Sequence, residues 1–318
     1  ATHGTHEFYT WRAKISKRLI QEKKFSFIAV EGDWPDCYKV NRFLKNYPKS
    51  GVNANEVMQC FNRWPTWMWA NWEMIAFIEW LKKHNMDQPM SRRIGFYGLD
   101  VYSLWESVES VKNYLKLNDK SSLNTLQQVI NCFEPFGNRE GSSYAHATQI
   151  LTYSCETEVV NLLNEIRKKM ELYPTDKESA FSTEQNALVA VNAEHYYRTM
   201  LKGNAASWNI RDRHMMETLN RLMKFHGENS KTIVWEHNTH IGDARATDMW
   251  RQGMINVGQL TKEEHEKEGV VRIGFSTYKG KVIAGSQWGG KIKVMELPEA
   301  KENSLEFVLH ESSAKNKL

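Results

Sequence analysis

The feature that most constrains the fold is a set of short, β-rich apolar runs separated by much longer amphipathic segments. The clearest runs are Phe25–Val30, Ile94–Leu99 and Thr232–Glu236, and each has the length of a buried strand. Strands that alternate with helices are typical of parallel βαβ units, so we predict an α/β fold. Further apolar runs follow near the C-terminus, at Val271–Ser276, Val282–Ala284 and Leu305–Leu309.

Helical spacing of apolar residues predicts helices over 5–22, 52–61 and 67–83. Beyond residue 104 no strand is evident until residue 226, and this block contains successive amphipathic segments: 104–116, 121–133, 145–171, 180–202 and 208–226. The block interrupts the strand-containing parts of the chain and would form a lid. We predict a largely parallel sheet core with flanking helices, built from residues 1–103 and 227–318, and a large helical accessory region at 104–226.

Composition excludes several classes of protein. The chain has 318 residues, 41% hydrophobic and 25% charged, which suffices for a large core without a metal or disulfide staple. The net charge of +4 comes from scattered residues, and no basic run is interleaved with aromatics, which argues against nucleic acid as a partner. No apolar stretch reaches about 18 residues, so we expect no transmembrane helix and no membrane partner. The cysteines form no CxxC pair, which favours a reduced, cytoplasmic protein; they are Cys37, Cys60, Cys132 and Cys155.

Two histidine clusters lie at opposite ends of the chain. The first contains His3 and His6, and the second contains His237 and His240. Histidine changes its charge near neutral pH, so it suits hydrolytic chemistry as a base or as a metal ligand. The clusters therefore mark the candidate site.

Carboxylates and a histidine also follow the apolar runs. Glu31, Asp100 and His237 each come at the end of one run. Because the carboxyl ends of parallel strands meet at one edge of a sheet, we expect these residues to converge on a single cleft. The alternative is that each acid caps the helix that follows its strand.

Several common motifs are absent from the sequence. No G-x-S-x-G elbow supports a serine hydrolase, since Gly274–Tyr278 lacks the second glycine. No P-loop and no well-placed G-x-G-x-x-G supports nucleotide binding. We therefore expect a small-molecule substrate and no organic cofactor.

Two routes to hydrolysis remain open for the histidines. In the first, His3, His237, His240 and Glu31 hold a metal ion, although the tight H-E-x-x-H spacing of zincins is missing. In the second, a neutral histidine takes a proton from water while a carboxylate orients it. Arg12 would then bind a substrate oxygen or an oxyanion, but an ion pair between Arg12 and Glu31 fits the sequence equally well.

Other conspicuous residues have two interpretations each. Arg211 and Asp212 follow Ser207, a helix N-cap candidate, and are either partners behind the site or a surface pair. A cluster of four tryptophans is typical of a core, although any part of it facing the cleft would suit a large apolar ligand with oxygens. These tryptophans are Trp64, Trp67, Trp69 and Trp72.

Five ordered motifs resemble the erythromycin esterase family, whose homologues are often labelled succinoglycan biosynthesis proteins. The motifs are ATHGTHEF at 1–8, VEGDWPD at 30–36, GFYGLD at 95–100, the Asn209–Asp212 run and WEHNTHIGD at 235–243. The resemblance implies an α/β core with a helical accessory region. It also implies metal-independent hydrolysis of a macrolide lactone or a related carboxylic ester.

The resemblance also implies roles for particular residues. It makes His3 the general base and Glu31 its acidic partner, with Arg12 and His237 completing the catalytic set. For substrate binding the candidates are His6, His240, Asp100 and Trp34. The family motif places Gly-Glu directly before Ala-Thr-His-Gly, so a further site carboxylate is expected ahead of Ala1, and a further strand and helix after Leu318. A metal-dependent hydrolase, and a homologue that binds an acylated saccharide or polyketide without cleaving lactones, stay open as alternatives.

Overall fold

The computed structural model describes residues 2–137, 141–151, 153–173, 176–287 and 289–312. At its centre is a three-stranded parallel sheet in the order β2-β1-β3, formed by β1 (Phe27–Asp33), β2 (Gly95–Asp100) and β3 (Thr232–Trp235). All seven residues of β1 are buried, as expected for a central strand that is covered on both faces. The predicted α/β class with a parallel sheet and flanking helices is confirmed.

Helices account for most of the remaining ordered chain. The longer ones are α1 (His6–Lys23), α2 (Trp34–Leu44), α3 (Ala54–Met58), α4 (Trp72–Met86), α5 (Leu104–Asn118), α6 (Leu123–Phe133), α7 (Ser142–Ile150), α8 (Glu156–Lys169), α9 (Lys177–Thr199), α10 (Asn204–His226), α11 (Asn238–Ile241), α12 (Val257–His265) and α13 (Leu305–Glu311). Two antiparallel strands, β4 (Gly280–Ala284) and β5 (Lys293–Leu297), form a hairpin apart from the central sheet. None of the helices described combines the length and hydropathy of a membrane span.

Alternate side chains of the central strand serve opposite faces of the sheet, as the two-residue period of a strand requires. Ile28 and Val30 pack in a core with residues of α1 and α4. Phe27 and Ala29 pack in a second core with methionines and leucines of α10. Both faces of the sheet are therefore covered, and only its ends are accessible to a ligand.

The helices from α5 to α9 share a core of their own, whereas α10 lies against β2. This position of α10 brings Arg211 and Asp212 towards the end of the sheet. The boundaries at residues 103 and 226 stay a prediction.

Several predicted elements differ in the structure. Residues 145–171 form two helices, α7 and α8, and the helix predicted over 52–61 shrinks to α3. The strand predicted at Val271–Ser276 does not form, because the backbone N–H and C=O of Phe275 bond to the side chain of Asn238 at 3.2 and 2.7 Å. The run at Leu305–Leu309 is helical. Periodicity over so few residues does not separate strand from helix.

One pair of cysteines corrects the prediction that all four stay reduced. Cys132 at the end of α6 and Cys155 just before α8 form a disulfide, whereas Cys37 and Cys60 are free. Spacing along the chain did not indicate this pair, since the two residues meet only because α6 packs on α8. Disulfides are rare in reducing compartments, so the cytoplasmic location predicted from the cysteines loses that support.

Replacing Cys132 with Ser is expected to lower the free energy of unfolding by about 3 kcal/mol. The bond closes a loop with a sequence separation of 23 residues, and opening that loop increases the entropy of the unfolded chain. Denaturant unfolding of the oxidised wild type and the variant measures the difference. Cys60→Ser, at a free cysteine, is the matched control and should have a clearly smaller effect. Equal stability of Cys132→Ser and wild type would contradict the bond.

Candidate active site

The predicted site residues meet at the carboxyl ends of the three parallel strands, where ligands bind in open α/β sheets. A cleft of about 510 Å³ opens there, and its lining includes His3, Glu31, Asp100, His237 and His240. Glu31 lies in β1 and Asp100 ends β2, while His237 follows β3. The structure thus brings His3 of the first histidine cluster, both histidines of the second and two strand-end carboxylates to one site.

Glu31 is the central carboxylate, and it is only 5% exposed. Its Oε1 accepts a 2.8 Å hydrogen bond from Nη2 of Arg211, and its Oε2 accepts a 2.9 Å bond from the backbone N–H of His237. Burial opposes ionisation, but the charges of His240 and Arg211 hold the pKa of Glu31 well below its ordinary value. Glu31 is therefore an anion at neutral pH, and it fixes the backbone at His237.

Arg211, from α10, joins Glu31 to Asp100. Its Nε and Nη2 donate to Oδ1 and Oδ2 of Asp100 at 2.8 and 2.6 Å, a bidentate arrangement. The same Nη2 donates to Glu31 at 2.8 Å. Burial opposes the charged form, but Asp100 and Glu31 raise the pKa of Arg211 well above its ordinary value. One buried cation therefore balances two buried carboxylates.

His240 is held on every side by polar partners and is only 2% exposed. Its Nδ1 donates to the carboxylate of Asp212, at 3.0 and 3.1 Å from the two oxygens, and the indole of Trp208 stacks on the ring at 4.5 Å. Its Nε2 lies 3.4 Å from Oε1 of Glu31 and 3.1 Å from Nη1 of Arg211.

The two contacts of that Nε2 favour opposite protonation states. Only a neutral ring accepts from the guanidinium of Arg211, whereas Glu31 favours a proton on the nitrogen. Burial opposes the imidazolium, but Glu31 and the bond to Asp212 raise the pKa of His240 to about 10. Two carboxylates face the ring against one guanidinium, so the imidazolium form of His240 is favoured.

His3 and His237 lie side by side in the cleft, with 5.0 Å between their ring centroids. Burial lowers the pKa of His3 to about 4, although the charge of Glu31 acts in the opposite direction. His3 is therefore neutral at pH 7 and able to accept a proton. The hydrogen bonds of Glu31 go to Arg211 and to the backbone of His237, so Glu31 acts on His3 through its charge.

The tautomer of His237 follows from its hydrogen bonds. Its Nδ1 accepts from the backbone N–H of Thr239 at 3.3 Å and lies 2.9 Å from the hydroxyl of Thr239. An Nδ1 that accepts a bond leaves the proton of a neutral ring on Nε2. The proton of a neutral His237 ring is therefore on Nε2.

Arg12 takes a different position from the predicted one. It is absent from the lining of the cleft, and its Nη2 donates to the backbone carbonyl of Glu236 at 2.8 Å. Its guanidinium also lies 5.6 Å from the ring centroid of Phe275. Arg12 thus holds the backbone immediately before His237, and the prediction of a direct contact with a substrate oxygen is corrected.

Two predicted substrate-binding residues lie outside the cleft. Trp34 is 1% exposed, stacks on Tyr97 and donates to the hydroxyl of Ser182 at 3.1 Å. His6 points to the surface and bonds to Glu73 at 2.7 Å. Trp34 is too deeply buried to contact a ligand. His6 faces solvent and does not line the cleft. Both substrate-binding assignments are therefore corrected.

The most important residue that sequence reasoning left undecided is Arg211. On a helix such an arginine is indistinguishable from a surface residue, because its partners Glu31 and Asp100 lie more than a hundred positions away. Its place in the fourth of the five ordered motifs was the available signal. His240 and Asp100 also line the cleft, but Nδ1 of His240 bonds to Asp212 and the carboxylate of Asp100 bonds to Arg211.

Glu236 is a buried acid that sequence reasoning missed altogether. It is 1% exposed, and within the described part of the chain neither carboxyl oxygen has a hydrogen-bond partner. Burial raises the pKa of Glu236 to about 8; the charge of His240 opposes this shift and that of Glu31 adds to it. Glu236 is therefore uncharged at pH 7, directly behind the catalytic cluster.

Replacing Glu236 with Gln is expected to make stability less dependent on pH. The folded protein keeps a proton that the unfolded chain loses, so wild-type stability falls as the pH rises from about 4.5 to about 8. Gln is uncharged at every pH. Over this range the stability of the variant should therefore fall by at least about 1 kcal/mol less than that of the wild type. Denaturant unfolding near pH 5 and near pH 8 measures it. The same fall in both proteins would show that Glu236 ionises normally.

The β4–β5 hairpin closes one side of the cleft beside His3. The backbone N–H of Ile283 donates to the carbonyl of Gly4 at 3.1 Å, and Ile283, Ala284 and Gly285 line the cleft. A Cβ at position 4 would lie 1.8 Å from the carbonyl oxygen of Ile283, so only glycine allows this approach. The glycine after His3 thereby allows this segment to lie directly against the hairpin.

Comparison with known proteins agrees with this architecture. A crystal structure of a Bacillus cereus protein superposes with a TM-score of 0.76 at 21% identity, over 96% of this chain and 71% of that one. A succinoglycan biosynthesis protein gives a TM-score of 0.67 at 22% identity, over 94% and 69% of the two chains. A mutant of the erythromycin esterase EreC in its open conformation gives 0.69 at 13% identity, over 96% and 77%. At these identities the likeness shows the fold.

The family follows from the sequence match. The model of the family described as erythromycin esterase matches residues 20–318, which include Glu31, Asp100, Arg211, His237 and His240. His3 and Arg12 precede the matched range, so their roles rest on the geometry of the cleft and on the first motif. With nearly the whole chain matched and the resemblance of its motifs confirmed, this protein belongs to the erythromycin esterase family.

Proposed function

We propose that the protein hydrolyses a carboxylic ester and that His3 is the general base. The observation that carries the proposal is the pairing of His3 with His237 in one cleft, with the anion Glu31 behind them. A neutral histidine accepts the proton of an attacking water, and a nearby anion stabilises the imidazolium that forms. The substrate class implied by the family is a macrolide lactone or a related ester.

The reaction has two steps in this proposal. Water loses a proton to His3 while its oxygen bonds to the ester carbonyl carbon, and negative charge develops on the carbonyl oxygen beside the ring of His237. The tetrahedral intermediate then collapses, the carbon–oxygen ester bond breaks, and the imidazolium of His3 returns the proton to the leaving alkoxide. Glu31 and Arg12 hold the backbone of Glu236 and His237 in place, which makes them positioning residues.

The proposal predicts an unusual dependence of kcat/KM on pH. Because the pKa of His3 is lowered to about 4, the ring gains its proton only when the pH falls to about that value. The acid limb of kcat/KM should therefore lie near pH 4, and not near the ordinary histidine value of 6.5. Circular dichroism at each pH checks that the protein stays folded. An acid limb near 6.5 would contradict a buried, neutral base.

A metal-dependent hydrolase at the same cleft is the main alternative. It requires His3, His237, His240 and Glu31 to turn towards one ion, yet Glu31 and His240 are committed to Arg211 and Asp212. Within the described ranges, no group of three or more His, Cys, Asp or Glu side chains is arranged to hold a metal ion. These contacts support the metal-free route.

One experiment tests the activity and the metal question together. Purified protein is incubated with para-nitrophenyl acetate and with erythromycin, before and after dialysis against a chelator, and its metal content is measured. Hydrolysis that survives the chelator, with no stoichiometric metal, is the expected result. Activity lost with the metal would establish the alternative, and intact esters throughout would favour a binding protein.

A further inference from the structure

One wall of the cleft is built from tryptophans that the hydrolytic mechanism does not use. All residues from Arg63 to Trp69 line the cleft. The indoles of Trp64 and Trp67 meet edge to face with centroids 5.4 Å apart. Trp64 is anchored because its Nε1 donates to the carbonyl of Gly290 at 3.1 Å, and Trp69 donates likewise to the carbonyl of Glu31 at 2.9 Å. The wall is therefore a fixed aromatic surface.

The third indole of this wall differs from the other two. Nε1 of Trp67 is buried, and within the described residues it has no hydrogen-bond partner. A buried N–H donor without an acceptor is uncommon in folded proteins, since leaving it unpaired costs about 1–3 kcal/mol. Because Trp67 lines the cleft, a bound ligand with an acceptor oxygen would remove this cost.

Asp33 supplies the complementary group in the same cleft. It is only 9% exposed, and its Oδ2 accepts a 2.6 Å hydrogen bond from Nε of Arg63. Its Oδ1 is buried and lacks a partner within the described part of the chain. Asp33 also lines the cleft. Burial raises the pKa of Asp33 to about 7, although the charge of Arg63 opposes the shift. The wall therefore offers one unpaired carboxyl oxygen and one unpaired N–H beside the indoles.

This combination selects a particular ligand chemistry. A ligand group that both donates to Asp33 and accepts from Trp67 is a hydroxyl, and several hydroxyls around a flat apolar face describe a pyranose ring. Tryptophan offers such a ring a large apolar face together with a polar edge. A purely apolar acyl chain would leave both groups unpaired, which would weaken its binding.

We propose that the wall formed by Arg63–Trp69 and Asp33 is a saccharide subsite, so that the ester cleaved beside His3 is an acyl group carried on a sugar. The proposal rests on the proposed function only for the hydrolytic step. Sugar binding itself is independent of catalysis and is measured separately.

The test uses a monoacetylated glucose as the probe. Its binding to the catalytically silent His3→Gln protein is measured by calorimetry, alone and combined with Trp67→Phe or Asp33→Asn. Trp67→Phe keeps the aromatic ring and removes only the donor, so affinity should fall about fivefold, the loss expected for one hydrogen bond. Asp33→Asn removes one of the carboxyl oxygens and should lower affinity about fivefold or more. Trp72→Phe is the control, because Trp72 is 76% exposed and does not line the cleft. Added to His3→Gln, it should leave the affinity for the acetylated sugar unchanged.

The outcomes separate the subsite from the activity. In the protein with His3 intact, Trp67→Phe should lower kcat/KM for the acetylated sugar several times further than for para-nitrophenyl acetate. Equal binding of the probe by the Trp67→Phe and Trp72→Phe proteins would overturn the subsite, as would the absence of any binding of the acetylated sugar by the His3→Gln protein. Sugar binding that depends on Trp67, without release of acetate by the wild type, would support the subsite and refute the hydrolytic function.

Discussion

Replacing His3 with Gln is expected to lower kcat/KM for ester hydrolysis by about a thousandfold, within the range that general bases contribute. The amide side chain cannot take a proton from water, and its size keeps the packing against the hairpin and His237. The ring of His3 lies beside that of His237, and Gln fills a similar volume there, so we expect the melting temperature to change little. Initial rates and thermal unfolding of the same preparations measure both quantities.

His6 provides the matched control for this substitution. It lies three residues from His3 in the same motif, but its side chain is exposed and bonds to Glu73. His6→Gln should therefore keep wild-type activity within about twofold. If His3→Gln retained near-full activity while remaining folded, another group would have to be the base.

Replacing Arg211 with Met is expected to destabilise the protein by about 3–5 kcal/mol and to abolish activity. Glu31 and Asp100 are both buried and both take their charged hydrogen bonds from this guanidinium. Without it, Asp100 loses its bidentate cation, and Glu31, which fixes the backbone of His237, keeps His240 as its neighbouring cation. Denaturant unfolding and hydrolysis rates of the variant test the expectation.

Two comparisons show whether the buried charge is the cause. Arg18→Met removes an arginine from an exposed pair with Glu22, and it should change stability far less than Arg211→Met does, because solvent screens exposed ion pairs. Adding Asp100→Asn to Arg211→Met removes one uncompensated charge and should recover part of the loss. A double variant that loses the sum of both single effects would contradict the account. Arg211→Lys should also lose activity, because an ammonium group cannot make the bidentate contact.

The central sheet was predictable because its strands are short, continuously apolar and bounded by polar residues. Phe25–Val30 and Ile94–Leu99 overlap β1 and β2, and the residue types at their ends pointed to Glu31 and Asp100. A strand that is buried on both faces gives such a continuously apolar run, which can be recognised in a single sequence. The cleft followed from the parallel topology, since carboxyl ends of parallel strands share one edge.

What the sequence did not reveal depends on contacts between distant segments. The disulfide between Cys132 and Cys155 requires the packing of α6 on α8. Trp34 follows the site carboxylate in its motif, yet the start of α2 turns its indole into the core. Asp33, Trp67 and Glu236 each have a buried polar atom without a hydrogen-bond partner within the described residues. Such an unpaired atom cannot be predicted from the local sequence.

The most direct measurement is mass spectrometry of an ester substrate after incubation in water enriched with heavy oxygen. The wild type should release an acid that carries one heavy oxygen atom from solvent, in the presence of a chelator, and His3→Gln should release none above the uncatalysed background. Release at equal rates by both proteins, or release by the wild type only when metal is restored, would contradict a metal-free hydrolase with His3 as its base.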